Sequence, residues 1–200
     1  MNDVALPEYY AFNKDWFSSN IPILDQLFAQ MLAEAPRKII EIGSYEGRSS
    51  CYFLDKWPEV ELHCIDPWDE KIENDSQTMQ DAEAKWERNT AGRAIKHKGR
   101  SRDIMPLMLA DEAGTFDIVY IDGSHDAPDV LTDAVYAFDA LRIGGIMIFD
   151  DYAWQLDEKT HDLLRIPKMA IDAFMNIYRH RMRQLIGAPA FQIYAQKVMD

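Results

Sequence analysis

A chain of 200 residues with 48% hydrophobic and 28% charged side chains suits one globular domain with its own core. Its 34 acids against 21 bases leave a formal net charge of −13, which argues against a nucleic-acid partner or an anionic membrane surface, since each needs a basic footprint. No run approaches the ~20 apolar residues of a transmembrane helix, MNDVALPEYY is no secretory signal, and Cys51 and Cys64 read as buried reduced thiols without zinc-ligand spacing, so a cytoplasmic location is expected.

Residues 1–19 are aromatic-rich (Tyr9, Tyr10, Phe12, Trp16, Phe17) and lack clean periodicity. Asn20 reads as the cap of a helix from Ile21, with apolar pairs Ile23/Leu24, Leu27/Phe28 and Met31/Leu32 one turn apart and Pro36 as its stop. Residues 37–42 form a short buried strand. It delivers a glycine turn, GSYEG at 43–47, onto a helix over about 48–57, the nucleotide-binding corner of a doubly wound α/β fold.

A second strand over 60–65 ends at Asp66, followed by an acidic loop at 67–74 and a polar helix over 76–89. Residues 94–98 give a third strand, and a helix from Asp103 carries Pro106 in its first turn, where proline is tolerated. The fourth strand is 116–121, followed by a helix over 126–141. Gly144 and Gly145 turn the chain into a fifth strand, 146–149, ending at Asp150 and Asp151. A helix spans 158–178 with a break at Pro167, and a hairpin of 181–186 and 191–196 closes the chain.

These elements predict a single α/β domain over 1–200: a lid and helix segment at 1–36, then a Rossmann-like core at 37–200. The core is a doubly wound seven-stranded sheet, mostly parallel, with a C-terminal antiparallel hairpin and helices on both faces.

In such a sheet ligands bind outside the C-terminal strand ends. Here those ends carry Glu41 to Ser44, Asp66, Ser101, Asp122 and the Asp150–Asp151 pair. Any one acid could be a helix cap, but five polar strand ends in a row mark a site. Asp66 suits the two hydroxyls of a ribose, because a carboxylate accepts two hydrogen bonds. Pro67 and Trp68 offer an apolar wall for a purine, or simply pack the loop. Asp122, Asp150 and Asp151 should converge, and three carboxylates repel one another unless a cation neutralises them. Hard oxygen ligands suit Mg²⁺ or Mn²⁺, and such an ion can prepare a substrate hydroxyl as a nucleophile. His125 is placed to accept its proton, since an imidazole titrates near neutrality; capping the next helix is its other reading. No G-x-S-x-G elbow supports a serine hydrolase.

The segments EIGSYEGRSS, CIDPW and KGRSRD resemble the cofactor motifs of class I S-adenosylmethionine-dependent methyltransferases. The resemblance implies that Glu41, Gly43, Ser44, Tyr45, Gly47 and Ser49 pass the methionine part of the cofactor. It places ribose at Asp66, beside Pro67 and Trp68, and adenine along Ser101, with Asp122 closing the site. Within that class, IDGSH followed by FDDY is similar to the metal-dependent small-molecule O-methyltransferases, nearest the macrolide-sugar type and more distantly catechol O-methyltransferase. It implies Asp122, Asp150 and Asp151 as metal ligands, His125 with Asp122 as the catalytic pair, and a sugar or natural-product hydroxyl as acceptor. Residues 1–20 match no motif of that class, and a homo-oligomer is left open. The rival readings are a metal-free methyltransferase, a non-catalytic S-adenosylmethionine or nucleoside binder, and a nicotinamide oxidoreductase, which the glycine turn and closing hairpin fit poorly.

Overall fold

The seven strands are β1 (Lys38–Ile42), β2 (Glu61–Asp66), β3 (Ile95–Lys98), β4 (Phe116–Ile121), β5 (Leu141–Phe149), β6 (Met182–Leu185) and β7 (Ile193–Lys197). The computed structural model describes residues 10–69, 76–154, 162–189 and 191–200, with only the backbone at 76–80. One sheet forms in the order β3-β2-β1-β4-β5-β7-β6. Strands β1 to β5 run parallel, and β7 inserts antiparallel between β5 and β6. The helices are α1 (Ile21–Met31), α2 (Arg48–Lys56), α3 (Ser76–Thr90), α4 (Ser101–Glu112), α5 (Ala127–Ala140) and α6 (Pro167–Ile177). Among the described residues, no helix is long and apolar enough to cross a membrane.

Alternate residues of each central strand point to opposite faces, so the sheet carries two cores. Ile40, Ile42, Val119, Ile121, Met147 and Phe149 pack with α5 and α6 on one face. Ile39, Leu62, Ile118, Tyr120, Ile146, Ile148 and Tyr194 pack with α1 and α2 on the other. Both faces are buried, which explains why β4 is apolar at nearly every position. Cys51 and Cys64 are free and buried, as expected.

Three local expectations are corrected. Asn20 does not cap α1: a 3₁₀ turn at Ser18–Asn20 already gives it helical backbone (φ −84, ψ −20), and its side chain makes no cap bond. The Asp15 carboxylate instead accepts from the backbone N–H groups of Phe17 and Ser18. Helix α4 begins at Ser101, so Pro106 lies inside it and the Arg102 carbonyl loses its helical partner. Gly144 and Gly145 do not precede β5. They lie within it, where a register shift between Phe116 and Ile118 absorbs the extra residues. The expected helix start at 158–161 and the acidic residues at 70–74 fall outside the described residues, as does Tyr9.

At the N-terminal ends of β1 and β2, Glu61, His63 and Glu112 bring ligand-type atoms within 4.8 Å of one another. The Lys38 ammonium sits among them, 2.9 Å from Glu61 and 2.6 Å from Glu112, and already pairs with both acids. The C-terminal strand ends open into a cavity.

Candidate active site

The sheet ladder runs straight into the glycine turn: Gly43 N–H donates to Ile65 O at 2.9 Å and Asp122 N–H to Ile42 O at 2.8 Å. A Cβ on Gly43 would stand 2.0 Å from the Asp122 carbonyl, and its φ of +87 is left-handed, so only glycine fits. Gly47 (φ +84) and Tyr45 (φ +45) also take left-handed backbone, which folds the turn onto the start of α2.

Asp66 shapes that turn from β2. Its Oδ2 accepts the backbone N–H groups of Ser44 and Tyr45, both at 2.9 Å, and its Oδ1 that of Trp68 at 2.7 Å. A carboxylate offers about four acceptor positions, so these three bonds leave about one open on an acid that lines the cavity. Burial pushes its carboxyl pKa up, and the three N–H donors oppose that. Glu41 lies just behind the turn, fully buried. Its Oε2 accepts from Ser44 Oγ at 2.6 Å and also from the Ser50 hydroxyl, while Oε1 has no partner among the described residues. Burial raises its pKa too. An acid with an orphaned oxygen behind a glycine turn suits a cofactor that carries positive charge.

The Trp68 reading as a purine wall fails. Its indole is buried against Trp86 at 5.2 Å between ring centroids, and its Nε1–H donates to Tyr45 O at 2.9 Å. It props up the turn from below.

The acidic end is built from β4, β5 and β7. Asp150 Oδ2 accepts from the Tyr120 hydroxyl and from Gln192 Nε2 at 2.9 Å, and its Oδ1 from Asp151 N–H at 2.9 Å. Tyr194 in turn donates to Gln192 Oε1 at 2.6 Å. Asp122 is half-buried on the cavity wall, and desolvation followed by the charges of Asp150 and Asp151 drives its pKa well above the carboxylate range. Asp150 is raised as well, chiefly by burial. Asp151 stands on left-handed backbone (φ +56) and its Oδ2 meets His125 Nε2 at 2.9 Å. The Trp154 ring lies 3.9 Å from the imidazole. Asp122, Asp150, Asp151 and His125 therefore share one wall, but the three carboxylates are not drawn to a common point: Asp151 turns to His125. Their chemistry still fits a hard divalent cation, because a positive ion would relieve the repulsion that raises Asp122 and Asp150.

Both ends open on one cavity of about 920 Å³. Its wall includes Gly43, Ser44, Tyr45, Ser49, Asp66, Pro67, Ser101, Asp122, His125, Asp150 and Asp151. Of the residues read from the sequence, Glu41, Gly47 and Trp68 stand behind that wall. The chain at 11–18 covers part of the opening with Lys14, Trp16 and Phe17. It is pinned there by Asn89, which exchanges two hydrogen bonds with the Ala11 backbone, by Glu46 accepting from Asn13 N–H at 2.6 Å, and by Arg48 donating to Ser18 Oγ.

Sequence reasoning gave no role to Tyr120 on β4, missed Tyr194 on β7 and Gln192 just before that strand, and missed Asp133 on α5. Asp133 is 2% exposed and lines the far end of the cavity. Its Oδ1 accepts from Ser101 Oγ at 2.5 Å. Burial, reinforced by Asp129 and opposed by Ser101 and Arg102, pushes its pKa up to about 7. The unfolded chain ionises this group near pH ~4, so between that value and about 7 the folded state holds the extra proton. Stability from this group is full at low pH and declines as pH rises through that window. At about 1.4 kcal/mol per unit, the loss reaches about 4 kcal/mol. Asp133→Asn, which cannot ionise, should match wild type near pH 4 and exceed it at pH 8. Urea midpoints at the two pH values check this; a constant difference between the proteins would refute it.

Residues 40–152 match the family model described as a methyltransferase domain. The O-methyltransferase hkm8 of Aspergillus hancockii is 27% identical over 126 residues, covering 62% of this chain and 46% of its own length, so the chain spans less than half of that relative. Among solved structures, the O-methyltransferase TomG of Streptomyces achromogenes, in complex with SAM and involved in tomaymycin synthesis, superposes with a TM-score of 0.65 at 19% identity, over 97% of this chain and 84% of that one. The MycE methyltransferase of the mycinamycin pathway, in complex with Mg and SAH, gives 0.60 at 18% identity, over 92% and 51%. These structural likenesses establish the fold.

Proposed function

Since the chain belongs to the methyltransferase domain family, we propose that it moves a methyl group from S-adenosylmethionine to a hydroxyl of a small molecule. One observation carries the reading: the Asp66-braced glycine turn and the Asp122/His125/Asp150/Asp151 cluster line the same cavity. A cofactor turn alone would serve a binder; an acid–base cluster beside it serves chemistry.

When bound, S-adenosylmethionine supplies a methyl already activated by its sulfonium, and a divalent ion supplies positive charge where the acceptor oxygen loses its proton. The chain's own residues do the rest. The Gly43 turn and Asp66 position the donor, and the surrounding wall sets the in-line approach of the acceptor. In the transfer the acceptor oxygen would take the methyl carbon, and the cofactor's sulfur, as leaving group, would keep the electron pair of the carbon–sulfur bond. The hydroxyl proton passes to His125, whose ring Asp151 orients. Asp122, Asp150 and Asp151 would hold the ion. The acceptor, in this reading, is a sugar or natural-product hydroxyl, with Trp16 and Trp154 on the cavity wall to meet an apolar ring.

A second reading rests on the His125–Asp151 contact. An imidazole oriented by a carboxylate is a complete general base, so the same cavity could work without metal. Calorimetric titration with S-adenosylmethionine tests the proposal: a dissociation constant between about 1 μM and 1 mM is expected, with no heat from NADH. No heat from S-adenosylmethionine would overturn it.

A further inference from the structure

The cavity has two ends, joined at Asp66. The catalytic end lies toward Asp122 and Asp150. At the other, Gly99 N–H donates to Asp66 O at 3.0 Å, which sets Arg100, Ser101 and Arg102 beside Asp66, the acid that in the proposed reading takes the ribose. A base attached to that ribose must reach this end. Here α5 brings in Asp133, a carboxyl 2% exposed on the cavity wall. Its Oδ1 is taken by Ser101, and its Oδ2 has no hydrogen bond among the described residues, yet Oδ2 is not among the atoms sealed from solvent without a partner. The open side of this acid is the cavity. Arg102, whose charge acts on this acid, is ion-paired to Asp129 and makes no hydrogen bond to Asp133 among the described residues. Burying a carboxyl with a single hydroxyl partner is costly and gains the fold nothing. A ligand that donates a hydrogen bond would complete it.

We infer that Asp133 is a specificity residue that accepts a hydrogen bond from the exocyclic 6-amino group of the cofactor's adenine. The inference rests on the S-adenosylmethionine reading above and adds to it a residue outside every cofactor motif in the sequence. An adenine presents a donor at position 6, whereas a 6-oxo purine presents an acceptor there. An ionised carboxylate only accepts, so Asp133 welcomes the first and repels the second. Asparagine carries both a donor and an acceptor, and leucine neither.

The test is calorimetric titration at pH 8 of S-adenosylhomocysteine and its 6-oxo analogue, S-inosylhomocysteine, against wild type, Asp133→Asn and Asp133→Leu. Wild type should prefer the adenosyl compound by roughly tenfold or more, because a mismatched polar contact leaves groups unpaired. Asp133→Leu should bind the adenosyl compound about tenfold more weakly and lose the preference, with its affinity for the analogue no lower than that of wild type as proof of an intact cavity. Asp133→Asn should keep the adenosyl affinity and admit the analogue. If wild type binds both compounds equally, or if Asp133→Leu keeps the wild-type ratio, the inference is wrong while the cofactor reading stands. If wild type binds neither, both fall together.

Discussion

Replacing His125 by alanine should lower methyl transfer roughly a thousandfold, within the 10²–10⁴ range of a lost general base, and leave the affinity for S-adenosylmethionine nearly unchanged. The two halves of that expectation come from different parts of the cavity. The groups read as holding the donor are the Gly43 turn, Asp66 and the Ser101 end, and no hydrogen bond or ring contact links His125 to any of them. Its partners are Asp151 and Trp154, both at the catalytic end. Because the His125–Asp151 pair is partly exposed, 35% and 30% by side chain, its loss should change stability by no more than about 1 kcal/mol. Turnover would be followed with whichever acceptor, from a panel of sugar and phenolic compounds, gives wild type its highest rate. A variant that keeps more than a tenth of that rate would show that the proton leaves directly to water and that His125 merely packs against Trp154.

The corner from β1 to α2 was legible because its signals are local and mutually consistent. Ile39, Ile40 and Ile42 demand burial on two faces, and Gly43 answers a backbone demand no other residue meets. The acids ending β4 and β5 were legible for the same reason: each interrupts an apolar run at the point where the strand leaves the core. What the sequence hid depends on tertiary placement. Gln192 reaches Asp150 only because β7 runs antiparallel beside β5, and nothing within either segment announces that contact. Trp68 and Asp133 were hidden by the side they face: the indole turned in under the glycine turn, and the acid on a helix whose pattern reads as amphipathic turned toward the cavity. The start of α1 at Ile21 was legible, but Asn20 failed as its cap because a 3₁₀ turn already precedes it, and Pro106 failed as a first-turn marker because α4 starts at Ser101.

The Asp122–Asp150–Asp151 wall decides between the two proposed mechanisms, and Asp150 is the residue to change. Its carboxylate is fixed from three directions, by the Tyr120 hydroxyl, the Gln192 amide and the Asp151 backbone N–H, so it is held in one orientation rather than free to swing. Second-layer partners of this kind commonly change metal affinity by 10–100-fold when removed. If a divalent ion works here, Asp150→Ala should abolish Mn²⁺ binding followed by electron paramagnetic resonance and cut turnover by roughly a thousandfold. Gln192→Leu should fall between, weakening Mn²⁺ by roughly 10–100-fold with S-adenosylmethionine affinity unchanged, because Gln192 acts only through Asp150. Chelation of wild type should stop turnover, and Mg²⁺ should restore it. If wild type instead binds no Mn²⁺ and turns over in chelator, the His125–Asp151 pair is the whole acid–base apparatus. In that case the network of Tyr120, Gln192 and Tyr194 serves only to hold the Asp150 carboxylate in place, and the repulsion among the three acids is a cost the fold carries for it.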